Sequence, residues 1–493
     1  MKPWPDSVSG LTRLKRKFII APLSNGNIAL MADLAKYAGL PWDCILGAEL
    51  VRHYKPDREV YQSAADFLEL HVNQVFVSEG LQRTGAKARS LNPFPRRVTY
   101  NRGPMKRSVD RILTTHTGSL IRPPQLLEFV KARQAGQPID QSAYEAILKD
   151  SVRDVVARQI EAGIDIPNDG EFGKSTSWSL YVLKRLSGFE MREVKGANPF
   201  ARGADRLRFA DFYAELEGRG DGKDWSNVTR RDAVCVGPIK YNGLFELQRD
   251  IDNLKAAAKA AGVDEAFLPV AAPSSAIPDR KNEYYKTDED LVVALAEALR
   301  TEYRSIVDAG FLLQVDDARA AVTYDRMVPP ASFEDYYKWL ERHVDVLNHA
   351  LEGIPEDRIR YHVCWGSWPG PHTTDVPLRK IVDLILKVNA GAYLLEAANP
   401  RHEHEWKVWQ EVKLPPGKIL VPGVVSHGTN VVEHPELIAQ RLTRFATYVG
   451  RENLIAGTDC GFAQEEINRR VHPSIMWAKL EAMAEGARIA SRA

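Results

Sequence analysis

The chain has 493 residues, 44% of them apolar and 27% charged, with Lys+Arg 66 nearly balanced by Asp+Glu 65. That is the profile of a soluble globular protein of roughly two to three domains, and nothing in it points to a nucleic-acid or membrane partner. No apolar run approaches the roughly 20 residues that span a bilayer, and the opening MKPWPDSVSG lacks the apolar stretch of a signal peptide, so the expected location is the cytoplasm. Four cysteines, Cys44, Cys235, Cys364 and Cys460, make no disulfide framework in so long a chain. In a reducing compartment each is a buried small side chain, a ligand or a nucleophile.

In chain order, KFIIAPLSN (17–25) predicts a short strand, NIALMADLAKYAGL (27–40) has helical spacing, and VYQSAADFLEL (60–70) repeats that spacing. A basic joint follows. Arg83, Lys87, Arg89, Arg96, Arg97, Arg102, Lys106, Arg107 and Arg111 stand against one acid, Asp110, with Pro93, Pro95, Gly103 and Pro104 breaking any periodicity. It reads as a linker; sparse aromatic residues and a neutral remainder argue against nucleic-acid binding.

From 112 onward short apolar runs alternate with amphipathic helices. The expected strands are ILTTHTGS (112–119), IDIPNDGE (164–171), FLPVAAPS (267–274), LLQVDDA (312–318), RIRYHVCWG (358–366), AYLLEAAN (392–399), ILVPGVVSH (419–427) and LIAGTDCGF (454–462). Helical segments such as DVVARQIEAG and LRKIVDLILKVNAG lie between most of them, which predicts an α/β fold, a (β/α)8 TIM barrel. A ninth run, AVCVGPIKY (233–241), fits only as part of an excursion between strands two and three.

Metal-binding residue types sit at the C-terminal ends of these runs, where such a barrel assembles its active site. His362 and Cys364 are two apart on the fifth run and share a face; Glu396 ends the sixth and Cys460 the eighth. Singly, each reads as packing or surface. Together, one nitrogen, one carboxylate and two sulfurs at three strand tips make a zinc set. His402 and His404 in PRHEHEW form a competing pair with ligand spacing, beyond Pro400 and past the strand tip.

Two resemblances follow from these residues. HVC (362–364), LLEAANPRHE (394–403) and GTDCGF (457–462), supported by THTGS (115–119) and DGE (169–171), resemble the zinc barrel of cobalamin-independent methionine synthase, a family that also holds epoxyalkane:coenzyme M transferases. The resemblance implies that His362, Cys364, Glu396 and Cys460 bind zinc. It assigns Ser119 and Glu171 to the amino-acid end of homocysteine, Asp316 to its amino group, and His427 to proton donation to the leaving group. Methyltetrahydrofolate or a methylated corrinoid protein is the implied methyl donor, with no nucleic-acid or membrane partner. The long members of the family carry an additional N-terminal barrel that is missing here, and PVAAPSSAIPDR (269–280) has no tryptophan for a folate ring, leaving Trp178, Trp365 or Trp368 as stacking candidates. Alkyl transfer to another thiol, with an epoxide as electrophile, stays open as an alternative. So does a non-catalytic barrel with a binding role.

The second resemblance covers residues 18 to 77, where LSNGN (23–27), LPWDCILGAEL (40–50) and YKPDREVY (54–61) are similar to the C-terminal part of an L-2-haloacid dehalogenase. It implies carboxylate-binding roles for Ser24 and Asn25 and a charge-neutralising role for Lys55. The aspartate nucleophile that such an enzyme needs is missing, as is its acidic loop after VFVSEG. Residues 1–104 are therefore expected to be a truncated Rossmann-like remnant with a basic linker, a gene fusion or a reading-frame accident, and 105–493 the zinc barrel, with Met105 a natural start for a separate protein.

Overall fold

The structure is a computed structural model that describes residues 7–24, 28–47, 50, 63, 66–68, 76–77, 89–90, 103–174, 180–194, 203–221, 230–276, 281–463 and 470–492. The chain divides into two compact units, residues 1–96 and 97–493.

In the first unit, a helix at Ser7–Lys15 precedes β1 (Leu23–Ser24), a helix at Ile28–Ala38 and β2 (Leu46–Gly47), which pairs with β1 in parallel. The expected strand over 17–25 shrinks to Leu23–Ser24, the expected helix over 27–40 is present as Ile28–Ala38, and β2 was not among the expected elements. Asp43 fixes the turn into β2, accepting from the Ile20 N–H (2.9 Å) and pairing with Lys15 (2.8 Å). Ser24 lies on β1; Asn25, Lys55 and most of 60–70 fall outside the described residues. The basic joint is not linker throughout, because β3 (Phe76–Val77) pairs antiparallel with β4 (Arg89–Ser90).

The second unit takes up the end of that joint. Met105 is buried against Ile166, Phe267, Leu312 and Ile455, and the Lys106 N–H bonds to the Glu265 carboxylate at 3.1 Å. A buried thioether and a satisfied buried carboxylate make Met105 and Lys106 part of this unit's core.

Seven parallel strands form its sheet: β5 (Leu113–Thr114), β8 (Phe267–Ala271), β9 (Leu312–Asp317), β10 (Ile359–Val363), β11 (Ala392–Leu395), β12 (Ile419–Val425) and β13 (Ile455–Thr458), in the order β5-β13-β12-β11-β10-β9-β8. Strands buried on both faces explain the near-continuous apolar runs. The run at 164–171 is not a strand. It is held at one side by a parallel bridge between Thr115 and Ile166, and at the other by the Phe267 N–H bonded to the Pro167 carbonyl at 3.1 Å. Pro167 has no N–H to give a ladder, which limits pairing here to those contacts. The described sheet is thus a curled parallel half-barrel whose edge strands, β5 and β8, both bond to this run.

The ninth run belongs to an excursion, as expected: β6 (Phe189–Val194) and β7 (Arg230–Cys235) pair antiparallel, and Cys235 is simply buried. The excursion is pinned at its base by Arg185, which donates to Glu302 (2.5 Å) and Asp250 (2.6 Å), while the Tyr241 hydroxyl donates to the other oxygen of Glu302 (2.6 Å). All three charged groups are at least 95% buried. Removing one partner leaves a buried charge partly uncompensated, so Glu302→Ala is expected to lose about 3–5 kcal/mol in denaturant unfolding. Glu128→Ala, which breaks an exposed pair with Lys131, should change stability by less than about 1 kcal/mol.

Candidate active site

Parallel strands carry their side chains to one mouth, and the predicted residues are found there. Cys364, just past β10, and Cys460, just past β13, touch with sulfurs 3.7 Å apart, both buried and neither in a disulfide. Two sulfurs bound tetrahedrally at about 2.3 Å to one zinc would stand about 3.8 Å apart. The Cys460 thiol donates to Cys364, and with His362 nearby this holds the Cys364 thiol down to about 6 while Cys460 is pushed well up.

His362 lies beside Asp316 across the β9–β10 register. Its Nδ1–H donates to Asp316 at 3.0 Å, an interaction that outweighs burial and raises the imidazole pKa. Its Nε2 is buried with no hydrogen-bond partner. A ring fixed through Nδ1 with an unused Nε2 lone pair is how a ligating histidine is prepared.

Glu396 follows β11 and is more heavily engaged than the sequence suggests. Its Oε1 accepts from the Trp365 N–H (2.8 Å), and its Oε2 from Asn399 (2.7 Å) and Arg401 (2.7 Å). Burial raises its pKa against the opposing pull of Arg401. Among the described residues no three His, Cys, Asp or Glu side chains form a group that could hold a metal ion. The thiol pair and the orphaned imidazole nitrogen nevertheless have the donor chemistry that zinc requires.

The remaining predicted residues ring this centre. Ser119 lies against Gly461, where a Cβ would come within 2.0 Å of its Oγ, so a larger residue there would displace the Ser119 hydroxyl. Glu171 approaches Gly118, whose φ of +136° and 2.6 Å Cβ clearance to Glu171 Oε1 demand glycine. Lys174 donates to Glu171 at 3.3 Å. Asp316 accepts from Gln314 as well as His362. His427, after β12, bonds through Nε2 to Ser367 Oγ at 2.9 Å, and Ser367 in turn sits 3.8 Å from the Cys364 sulfur. Burial, reinforced by Arg470 and Arg401, drives the His427 pKa down to about 3, so the resting ring is neutral; its Nδ1 is buried without a partner.

The sequence reading overlooked Ser367, Asn399, Arg401 and Lys174. It also weighed His402 and His404 as ligands, and the structure separates them. His404 is exposed, while His402 is clamped between Glu405 (2.9 Å) and Asp375 (3.2 Å). Trp365 is core, donating to the Val376 carbonyl at 2.8 Å and packing on His402. Trp368 donates to Tyr213, and Trp178 lies outside the described residues.

Burial alone would lower the His402 pKa, but the bonds to Asp375 and Glu405 raise it to about 9. A folded pKa above the unfolded value of about 6.5 stabilises fully below pH ~6.5, and that stabilisation is lost as pH rises through ~9. His402→Gln should therefore destabilise by roughly 3 kcal/mol more at pH 6 than at pH 10. Unfolding curves of both proteins across that range would show it, and a gap independent of pH would contradict it.

Residues 251–487 match the family described as "Cobalamin-independent synthase, Catalytic domain". A methionine synthase of Sulfolobus acidocaldarius is 25% identical over 351 residues, covering 71% of this chain and 85% of that one. The methionine synthase of Thermococcus kodakarensis is 24% identical over 379 residues, covering 77% and 93%. The structure of a B12-independent methionine synthase from Shewanella sp. W3-18-1, in complex with selenomethionine, superposes with a TM-score of 0.55 at 20% identity, covering 78% of this chain and 98% of that one, a likeness of fold. Over residues 251–487 the second unit is thus similar to the catalytic domain of the cobalamin-independent methionine synthases, which are methyltransferases.

Proposed function

We propose that the protein is a zinc-dependent thiol S-methyltransferase that converts homocysteine to methionine, its site carried on a closed (β/α)8 barrel in which the run 164–167 is the eighth stave. The observation that carries the zinc reading is the 3.7 Å thiol pair beside a buried, unpartnered His362 Nε2. His362, Cys364 and Cys460 would hold the metal, with Glu396 as the fourth ligand. Zinc bound there would supply deprotonation of the substrate thiol at neutral pH, where a free thiol with a pKa near 8.5 is mostly protonated.

The chain's own residues do the rest. Glu171, Asp316 and Ser119 orient the amino-acid end of the substrate at the mouth. His427, neutral at rest, relays the thiol proton through Nδ1, a ring nitrogen with no hydrogen-bond partner among the described residues. It returns that proton to the leaving group as the methyl passes to sulfur. Protons balance without a solvent donor. Methyltetrahydrofolate or a methylated corrinoid protein is the donor in this reading, and the cytoplasm is its setting. No helix among the described residues is long and apolar enough to cross a membrane.

Purified protein with zinc, homocysteine and each donor in turn should form methionine. No methionine with either donor, together with alkylation of another thiol by an epoxide, would replace this reading with the second one.

Residues 18–77 are, in the same proposal, a dehalogenase remnant without a nucleophile. The 493-residue chain is expected to release no halide from a 2-haloacid, since the covalent step needs a carboxylate nucleophile and residues 18–77 match only the part of such an enzyme that lacks it. Halide release that disappears in Lys55→Ala would reverse that assignment.

A further inference from the structure

Arg401 lies five residues beyond Glu396, on the loop after β11, and its guanidinium is pinned on every side. One terminal nitrogen donates to Glu396 Oε2 (2.7 Å) and to the Gly366 carbonyl (3.0 Å). The other donates to Asp375 (3.1 Å) and meets His372 Nδ1 at 2.5 Å, and Nε donates to Asn399 (3.3 Å). Glu396 itself is 0% exposed in this pair.

Three consequences follow from that geometry. Arg401 and Asn399 both act on Oε2, so Oε1, which among the described residues accepts the Trp365 N–H, keeps lone-pair capacity. The same guanidinium ties the carboxylate to the loop of Cys364, because Gly366 also donates its N–H to the Cys364 sulfur at 3.2 Å. Two thiolates and a carboxylate around a dication leave one surplus negative charge in a buried site, and the half-buried guanidinium of Arg401 neutralises it. Only a planar fork can reach Glu396, Gly366 and Asp375 together; an ammonium cannot.

We infer that Arg401 is the positioning residue of the metal centre, holding Glu396 by Oε2 so that Oε1 stays available as a ligand. The inference rests on the zinc reading above and is tested by zinc affinity, measured on the full chain by competition with a chromophoric chelator. Wild type should bind one zinc. Arg401→Gln should bind it about 10- to 100-fold more weakly, as other ligand-orienting groups do. Arg401→Lys, which keeps the charge and loses the fork, should fall between them.

Because Arg401 acts through Glu396, the loss should vanish in a Glu396→Gln background: Arg401→Gln/Glu396→Gln should bind no more weakly than Glu396→Gln alone. An Arg401→Gln affinity equal to wild type overturns the inference and leaves the zinc reading intact. A loss undiminished in the Glu396→Gln background overturns it as well, since the arginine would then support the fold and not the ligand. No zinc bound by wild type overturns the zinc reading and this inference together. Unfolding midpoints of each variant identify any that fail to fold, and Arg401→Lys carries the test if Arg401→Gln does.

Discussion

Cys460→Ala is expected to purify without stoichiometric zinc and to form no methionine above background, while its unfolding midpoint stays within the range of an ordinary buried substitution. The sulfur of Cys460 is the partner of Cys364 at 3.7 Å and comes from the opposite part of the chain, so no neighbouring side chain replaces it. Zinc content by atomic spectroscopy and methionine formation are the two measurements. The expected loss is the largest in this protein, because three soft or nitrogen donors reduced to two no longer define a site for zinc. Full turnover in zinc-free Cys460→Ala protein would remove the metal from the mechanism and leave the fold as the only link to the family.

His427→Ala is expected to keep zinc and thiol affinity and to lose about 10²- to 10⁴-fold in kcat, the usual worth of a positioned proton carrier. The geometry separates it from the metal ligands. His427 reaches Cys364 only through Ser367, at 2.9 Å and then 3.8 Å, so its removal leaves the sulfurs in place. Ser367→Ala, which frees the ring but keeps it, should show a smaller defect of the same kind. If His427→Ala lost zinc or thiol affinity in proportion to kcat, the histidine would be a structural support of the mouth and not the proton carrier.

What the sequence made legible is what obeys a short period. His362 and Cys364 are two apart on a run of buried residues, and strand alternation alone places both at one mouth. The placement of AVCVGPIKY in an excursion followed from the count of runs, and β6–β7 occupies that place. What was not legible depends on partners far away in the chain. The sequence HEH at 402–404 looks like a ligand pair, and only the loop carrying Asp375 and the nearby Glu405 make His402 a clamped cation. Asn399 and Arg401 stood in plain view three and five residues after Glu396, but the role of Arg401 appears only when Gly366 and Asp375 are brought beside it. Pro167 was the one local signal passed over: a residue without an N–H in an expected strand already says that the ladder breaks there.

The pairing of β5 with β13 sets an order on the birth of this protein. Leu113 lies opposite Ile455, so the first strand of the sheet finds its neighbour only when the last has left the ribosome. Until then β5 and the growing row of apolar strands present open edges, the state in which large parallel sheets are slowest to fold and most prone to aggregate. Cys364 would wait through nearly a hundred residues of further synthesis for Cys460. A thiol pair assembled by the final strand makes loading of any metal a post-synthetic event, coupled to closure of the sheet, and a chain stopped short of β13 would be neither closed nor competent.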